Sequence, residues 1–193
     1  MKCTLRVATI PAFVTAILLS AHGLPRATDK VQPVPAVVFI PTPHDIVASM
    51  LELAAVQQAD VVYDLGCGDG RIVVAAAKRY RCRAAGFDID PRRVEEAREA
   101  VTRNGVASLV RIEHQDIFTL DLQPASVITL YLSPKFNAKL MPQLEALKPG
   151  SRIVSHQFGI PGVKPDKVVQ VRSQEDTRTH AIYSWTTPLK KRE

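Results

Sequence analysis

A glycine-rich turn joins a predicted strand to a predicted helix in the first half of the chain. This arrangement limits the folds that the chain can adopt. The strand pattern covers residues 60–65 and runs into Asp64-Leu-Gly-Cys-Gly-Asp-Gly70, after which residues 71–80 repeat apolar side chains at helical spacing. Glycines in such a turn allow a sharp change of direction and let a ligand approach the main chain without a Cβ in the way. This order of strand, turn and helix is typical of α/β proteins that bind a ligand at one edge of a parallel sheet.

Strand and helix patterns continue to alternate along the chain. Further helices are predicted over residues 44–56, 91–104 and 134–147, the last with a break at Pro142. Further strands are predicted over residues 83–88, 109–114, 126–132, 152–156, 167–171 and 181–186. The last two strands should pair as a hairpin, because no helix-length segment separates them. We therefore predict a Rossmann-like α/β fold: a seven-stranded, mostly parallel sheet with an antiparallel terminal hairpin and helices on both faces.

Length and composition indicate one globular domain with a short appendage. The chain has 193 residues, of which 46% are hydrophobic and 23% charged, so disorder or a coiled coil is excluded as a description of the whole. Five of the 14 prolines fall within residues 24–43. This proline-rich stretch is either an extended linker or a strap that lies over the domain. We assign residues 42–187 to the domain, 24–41 to a proline-rich linker and 188–193 to a basic tail.

Residues 1–23 have the pattern of a targeting segment. Lys2 and Arg6 precede an apolar run from Val7 to Ala21, and Ala21-His22-Gly23 offers a small-x-small cleavage site. The run is shorter than the roughly 20 residues that a membrane span needs. The segment therefore predicts a signal peptide and an exported, periplasmic or secreted, domain. An uncleaved membrane anchor and another kind of targeting segment stay open as alternatives.

The glycine spacing separates this turn from two common nucleotide-binding loops. The dinucleotide pattern G-x-G-x-x-G and the phosphate-loop pattern G-x-x-x-x-G-K-[ST], counted from Gly66, both require a glycine where Arg71 stands. What remains is acid-x-Gly-x-Gly-x-Gly from Asp64 to Gly70. Asp64 and Asp69 would repel a pyrophosphate and attract an ammonium group. Asp69 is equally a candidate for the N-cap of the following helix, and Arg71 for an ion pair with a nearby acid.

Two more acids follow the next two strands. Asp88, in Gly86-Phe-Asp-Ile-Asp90, ends the second strand, where a carboxylate can accept two hydrogen bonds from a ribose diol. Asp116 is expected to end the third strand, where it would meet an adenine amino group. Asp90 precedes a proline and is better explained as a helix N-cap than as a ligand. Because the carboxyl ends of parallel strands share one edge of the sheet, we expect a nucleoside-binding site there.

With these residues the sequence resembles the class I S-adenosylmethionine-dependent methyltransferases. The segments YDLGCGDGR, GFDIDP and QDIF match successive cofactor motifs, and the likeness covers residues 42–187. The segments PTPHDIVASML, TLYLSPKFNAKLMPQL and LKPGSRIVSHQF are similar to a bacterial group related to the protein-lysine methyltransferases that modify the membrane subunit of ATP synthase. That group usually has Trp-x-Pro after SHxF, whereas this chain has Gly162-Val163-Lys164-Pro165.

The resemblance implies S-adenosyl-L-methionine as the cofactor and roles for individual positions. Seven residues are implied for the cofactor: Asp64, Gly66, Gly68 and Gly70 around the methionine part, Asp88 at the ribose, and Asp116 and Ile117 at the adenine. Four residues are implied for the acceptor side: Thr129, Tyr131, Pro134 and Asn137. The catalytic candidates are Tyr131, Asn137 and His156, although a structural role for His156 stays open. His114 and His180 are expected to be ordinary strand residues.

The expected function is methyl transfer to a protein lysine. Methyl transfer to a small metabolite, or cofactor binding without turnover, stays open as an alternative. No metal is expected, because no His, Cys or Asp cluster has ligand spacing. Nucleic acid is not expected either, because the net charge of +6 is thinly spread. Proximity to a membrane would come through the N-terminus. Cys67 and Cys82 are expected to be free thiols, since the fold places them at opposite ends of neighbouring strands.

Overall fold

Seven strands and five helices follow one another along residues 39–192, the part of the chain that the computed structural model describes. The predicted signal peptide or anchor and most of the predicted linker lie outside these residues. The strands are β1 (Val61–Leu65), β2 (Arg83–Asp88), β3 (Val110–His114), β4 (Val127–Leu130), β5 (Arg152–His156), β6 (Lys167–Arg172) and β7 (Thr179–Thr186). The helices are α1 (His44–Leu53), α2 (Arg71–Tyr80), α3 (Pro91–Arg103), α4 (Pro134–Lys139) and α5 (Met141–Glu145), with a 3₁₀ turn at Ile117–Thr119.

The strands form one sheet in the order β3-β2-β1-β4-β5-β7-β6. The first five strands are parallel, and β7 runs antiparallel to both β5 and β6. The predicted seven-stranded, mostly parallel sheet with a terminal hairpin is therefore confirmed. The chain moves outward from β1 to β3 and then returns to place β4 on the other side of β1. The loops that follow β1 and β4 thus diverge, and in open α/β sheets this switch point is where ligands bind.

Apolar side chains alternate along the strands and build a core on each face of the sheet. Val62 of β1 lies in the core that α1, α2 and α3 cover. Tyr63 and Leu65 lie in the other core, to which α4 and α5 contribute Leu140 and Leu144. Helices on both faces, as predicted, follow from strands that are buried on both sides.

One local prediction here is met and another is not. The helix predicted over residues 134–147 with a break at Pro142 is divided at Leu140 into α4 and α5, because Pro142 at the start of α5 cannot donate a backbone hydrogen bond to the preceding turn. Strand β4 is shorter than the predicted range 126–132: its pairing with β1 ends at Leu65 and Leu130, where β1 turns away into the glycine loop. Tyr131 therefore follows the strand instead of lying within it.

Several local predictions are met. Asp90 is the N-cap of α3, and its side chain accepts a hydrogen bond from the Arg92 amide (2.9 Å). Cys67, after β1, and Cys82, before β2, are buried free thiols. The segment predicted as a basic tail is tied back to the domain by an antiparallel bridge between Lys191 and Val163.

Candidate functional site

The loop between β1 and α2 folds back over the end of β2. Its glycines Gly66, Gly68 and Gly70 all have positive φ, at 78°, 54° and 78°. A Cβ built on Gly66 would lie 3.1 Å from Leu132 Cδ2 in the loop after β4. This position therefore needs glycine for two reasons, its backbone conformation and its close approach to a neighbouring loop.

Asp88 connects the glycine loop to the end of β2. Its Oδ2 accepts a hydrogen bond from the Gly68 amide (2.9 Å), and its Oδ1 accepts one from the Asp90 amide (3.0 Å). Each carboxylate oxygen has a second lone pair, so these backbone bonds leave acceptor capacity for a ligand hydroxyl. The carboxylate is held in place before any ligand arrives.

Asp64 is a buried acid beneath the glycine loop, with 2% of its surface exposed. The Thr129 hydroxyl of β4 donates to its Oδ1 at 2.6 Å. Burial raises the pKa of Asp64 to about 7, and the negative charges of Asp88 and Asp69 act in the same direction, against the Thr129 hydrogen bond. Near neutral pH this carboxyl group is therefore poised between its two protonation states, and a nearby cation would favour the charged one.

Asp116 does not end a strand, because β3 stops at His114. Asp116 instead caps the 3₁₀ turn, and its Oδ1 accepts a hydrogen bond from the Phe118 amide (2.9 Å). The Gln115 amide donates to the Asp88 carbonyl (3.0 Å), so this segment is tied to the end of β2. Ile117 is buried in the core on the α4 and α5 side. The residues predicted for ribose and adenine thus lie on two directly bonded segments.

Asp69 and Arg71 form an ion pair at the start of α2. Nε of Arg71 donates to Oδ1 of Asp69 (2.9 Å), while Nη1 of Arg71 donates to the Thr42 carbonyl (2.7 Å). Burial tends to raise the pKa of Asp69, but the hydrogen bonds and charge of Arg71 outweigh it and hold that pKa below its usual value. Arg71 therefore joins the glycine loop to the segment that precedes α1.

That preceding segment, residues 39–43, lies over the glycine loop, so these residues fit the strap alternative better than the linker alternative. A Cβ on Gly68 would fall 2.2 Å from Cε2 of Phe39, so the ring lies against the bare glycine backbone. The Arg93 guanidinium of α3 lies 4.8 Å from the ring centroid, within cation–π range. Phe39 retains 39% exposure. The only sequence signal for this contact was an aromatic residue in a proline-rich stretch.

Aromatic rings gather where β4 and β5 end. The rings of Tyr131 and His156 are 4.1 Å apart between centroids, and Phe158 lies nearly parallel to Tyr131 at 6.3 Å. Burial raises the pKa of Tyr131, so its hydroxyl stays protonated near neutral pH. Two of the three catalytic candidates are thereby in contact.

Asn137, the third catalytic candidate, is fully buried on α4. Its Nδ2 donates to the carbonyls of Phe158 (3.4 Å) and Gly159 (3.2 Å). Its Oδ1 has no hydrogen-bond partner among residues 39–192. Asn137 therefore orders the loop that carries Phe158 and retains one unused acceptor. Pro134, also implied for the acceptor side, is the first residue of α4.

His180 and Asp176 are functional candidates that sequence reasoning missed. His180 Nδ1 lies 2.8 Å from His156 Nε2, and His180 Nε2 lies 3.1 Å from Asp176 Oδ1. On its other side, His156 Nδ1 is 3.1 Å from the Thr42 hydroxyl. His114, by contrast, lies at the exposed end of β3 and bonds to the Ile89 carbonyl (2.9 Å).

Two further observations apply to residues 39–192. No three His, Cys, Asp or Glu side chains there are arranged to hold a metal ion. None of the helices in that range has the length and apolar character that crossing a bilayer requires.

Comparison with known proteins identifies relatives of this chain. Residues 64–167 match the family described as the ANTKMT methyltransferase domain. A protein-lysine N-methyltransferase from Saccharolobus islandicus (strain REY15A) is 43% identical over 152 residues, which are 78% of this chain and 93% of the relative. A lysine N-methyltransferase of Homo sapiens that is named for a subunit of ATP synthase is 26% identical over 155 residues, which are 80% of this chain and 65% of the relative. One similar solved structure is the crystal structure of an RNA methyltransferase from Salinibacter ruber in complex with S-adenosyl-L-homocysteine. Its sequence is 45% identical to this chain, and the match covers 77% of this chain and 94% of that protein's chain, with a TM-score of 0.71.

Proposed function

The chain belongs to the ANTKMT methyltransferase family, and on this premise we propose that it transfers methyl groups from S-adenosylmethionine to lysine side chains of a protein. Dependence on S-adenosylmethionine and methyl transfer follow from the family. The protein lysine is the proposed part. The observation that carries it is the 43% identity, over nearly the whole of the relative, with a protein-lysine N-methyltransferase.

The residues at the switch point fit this cofactor. The glycine loop presents backbone without a Cβ at Gly66, where it approaches Leu132 closely, and Asp88 keeps free acceptor lone pairs for the two ribose hydroxyls. Asp64 and Asp69 supply the negative charge that an amino-acid ammonium requires, and Asp116 with Ile117 would meet the adenine. When bound, the cofactor supplies a methyl group on a cationic sulfur, which is ready for direct in-line displacement.

The acceptor side has the composition that a lysine side chain requires. Tyr131, His156 and Phe158 form an aromatic wall against which four methylene groups can pack. The wall also excludes water, and desolvation lowers the pKa of an ammonium group, so the nucleophilic neutral amine becomes accessible. The Tyr131 hydroxyl would accept a hydrogen bond from the amine and align its lone pair. Asn137, which is fully buried, would act by holding the loop that carries Phe158.

Three other functions remain to be distinguished by experiment. A small metabolite would bind at the same aromatic wall. RNA is a second candidate, because a protein 45% identical to this chain is described as an RNA methyltransferase. Cofactor binding without turnover is a third, since export from the cytosol would separate the domain from the cytosolic methyl donor.

The distinguishing experiment supplies radiolabelled methyl donor to the purified protein together with cell extract. Protein, RNA and small molecules are then separated and counted, and an Asp88→Ala variant serves as the background control. Label in the protein fraction, removed by protease and not by ribonuclease, supports the proposal. Label confined to RNA or to metabolites replaces it with the corresponding alternative, and no label despite measurable S-adenosylhomocysteine binding supports a protein without turnover.

For the N-terminus we propose export. Lys2 and Arg6, followed by the apolar run from Val7 to Ala21, support a signal peptide that brings the domain close to a membrane. Expression of the full chain with a C-terminal tag, followed by fractionation and mass determination, tests this proposal. A periplasmic or secreted product that lacks residues 1–23 is expected. A full-length membrane product supports the anchor alternative, and a full-length cytosolic product contradicts both.

A further inference from the structure

A buried chain of hydrogen bonds crosses the site from the segment before α1 to the loop between β6 and β7. Its members are Thr42, His156 at the end of β5, His180 on β7 and Asp176 in the loop. The first three side chains are buried. The members come from three separate parts of the chain, because only Asp176 and His180 are close in sequence. His156 meets His180 because β7 lies antiparallel beside β5.

When both histidine rings are neutral, the ionised Asp176 fixes the direction of every hydrogen bond in the chain. Ionised Asp176 can only accept, so His180 Nε2 must carry a proton and donate to it. The neutral His180 ring then has an unprotonated Nδ1, which accepts from the Nε2–H of His156 at 2.8 Å. His156 Nδ1 is therefore unprotonated as well, and the Thr42 hydroxyl donates to it. One carboxylate thus sets the tautomers of two histidines.

The surroundings keep both the carboxylate and the neutral ring in these states. Burial lowers the pKa of His156 to about 4, so His156 is neutral near pH 7. The hydrogen bond with His180 and the Arg178 contacts hold the pKa of Asp176 well below its usual value. Arg178 reaches Asp176 from the solvent side (Nε to Oδ2, 2.9 Å) and touches neither histidine.

We propose that Asp176 and His180 are positioning residues for the methyl transfer: they keep His156 in the Nε2–H tautomer and thereby orient its ring against Tyr131 and hold Thr42 at the site. The proposal rests on the proposed function, because the wall that His156 and Tyr131 form is the acceptor side of that reaction. Among residues 39–192, no hydrogen bond, ion pair or ring contact joins Asp176 or His180 to the cofactor loop or to Tyr131. Their effect passes through His156, whose ring contacts Tyr131 at 4.1 Å between centroids.

The test replaces Asp176 by Asn in the full-length protein. An Asn side chain can either accept from His180 Nε2 or donate to it, so the variant removes the constraint on the tautomers while keeping the size of the side chain. Ring-nitrogen shifts of ¹⁵N-histidine-labelled protein report the tautomer of His156 without any turnover. Arg178→Gln is the matched control, since it alters the same loop and the same carboxylate while leaving His180 bonded to Asp176.

We expect wild type and Arg178→Gln to show protonated Nε2 and unprotonated Nδ1 on His156, with equal turnover. We expect Asp176→Asn to show a mixture of tautomers and a roughly tenfold lower kcat, with the dissociation constant for S-adenosylhomocysteine unchanged within about twofold. A protonated Nδ1 in the wild type, or an Asp176→Asn variant that keeps either the single tautomer or full turnover, overturns the proposal. If the wild type methylates nothing, the proposed function fails, while the ring shifts still decide whether Asp176 sets the tautomer.

Discussion

At the scale of single residues, three side chains carry separate parts of the proposed chemistry. Asp64 is a buried acid whose charge costs stability, Asp88 is a carboxylate held by backbone amides, and Tyr131 carries a hydroxyl at the end of β4. Each has a neighbour or an isosteric replacement that separates its chemistry from its packing. Their roles can therefore be tested one at a time.

Asp64→Asn should stabilise the free protein above pH 7 and weaken its cofactor binding. The pKa of Asp64 is raised in the folded state, so wild-type stability falls as pH rises from about 4 towards about 7, by up to a few kcal/mol at about 1.4 kcal/mol per pKa unit. Asn removes this fall and can still accept the Thr129 hydrogen bond. Thermal unfolding across pH measures the first effect, and S-adenosylhomocysteine calorimetry measures the second. A wild-type stability that does not fall over this range contradicts the raised pKa.

Asp88→Ala should weaken S-adenosylhomocysteine binding by about 1–3 kcal/mol, the usual cost of leaving polar groups unpaired. Asp90→Ala is the matched control two residues away: it removes a helix cap, at about 0.5–2 kcal/mol of stability, and should leave cofactor affinity unchanged. Titration calorimetry and chemical denaturation on both variants give the comparison. Equal affinities for Asp88→Ala and wild type would remove Asp88 from the cofactor site.

Tyr131→Phe should keep the stacking on His156 and lose only the hydroxyl. If the hydroxyl orients the amine, turnover falls roughly ten- to a hundredfold, or about 1.4–2.7 kcal/mol, while cofactor affinity is unchanged. Steady-state kinetics on the identified substrate measure the change. Full turnover in this variant would leave Asn137 and His156 as the catalytic candidates.

At the scale of elements, the glycine loop and the segment over it explain how the site is organised. The loop is bonded to the end of β2, lies against the loop after β4 and is covered by Phe39. Arg71 ties the covering segment to α2 through the Thr42 carbonyl. The cofactor pocket thus depends on backbone positions contributed by several elements.

Gly66→Ala should weaken cofactor binding more than Gly105→Ala does. Both glycines have positive φ, so both variants introduce a similar backbone strain of about 1–2 kcal/mol. A Cβ on Gly66 meets Leu132 at 3.1 Å, whereas a Cβ on Gly105 meets nothing within 4 Å. Denaturation midpoints should therefore fall in both variants, while S-adenosylhomocysteine affinity falls in Gly66→Ala alone. A comparable loss of affinity in Gly105→Ala would show that strain, and not the local contact, is responsible.

At the scale of the whole molecule, the features that could be predicted from the sequence are the helices and strands that a local pattern of residues marks. The bounds of α2, β2 and β5 were predicted to the residue, because apolar periodicity and a flanking glycine or proline mark them. The histidine chain could not be predicted, since Thr42, His156 and Asp176 carry no shared motif and are brought together by the tertiary fold, in part by the pairing of β5 with β7. The contact of Phe39 with Gly68 was not predicted either, because it joins two parts of the chain that share no sequence motif.

The central claim about the whole molecule is that the methyl acceptor is a protein lysine. Identification of the modified amino acid tests this claim most directly. Protein labelled from radioactive methyl donor is hydrolysed completely to amino acids, and the labelled species is identified by chromatography against methylated standards. We expect radioactivity in N-methylated lysine, and less of it with the Asp88→Ala variant at a donor concentration below saturation. Radioactivity in any other amino acid, or protein that carries no label when wild-type enzyme binds S-adenosylhomocysteine, would contradict the claim.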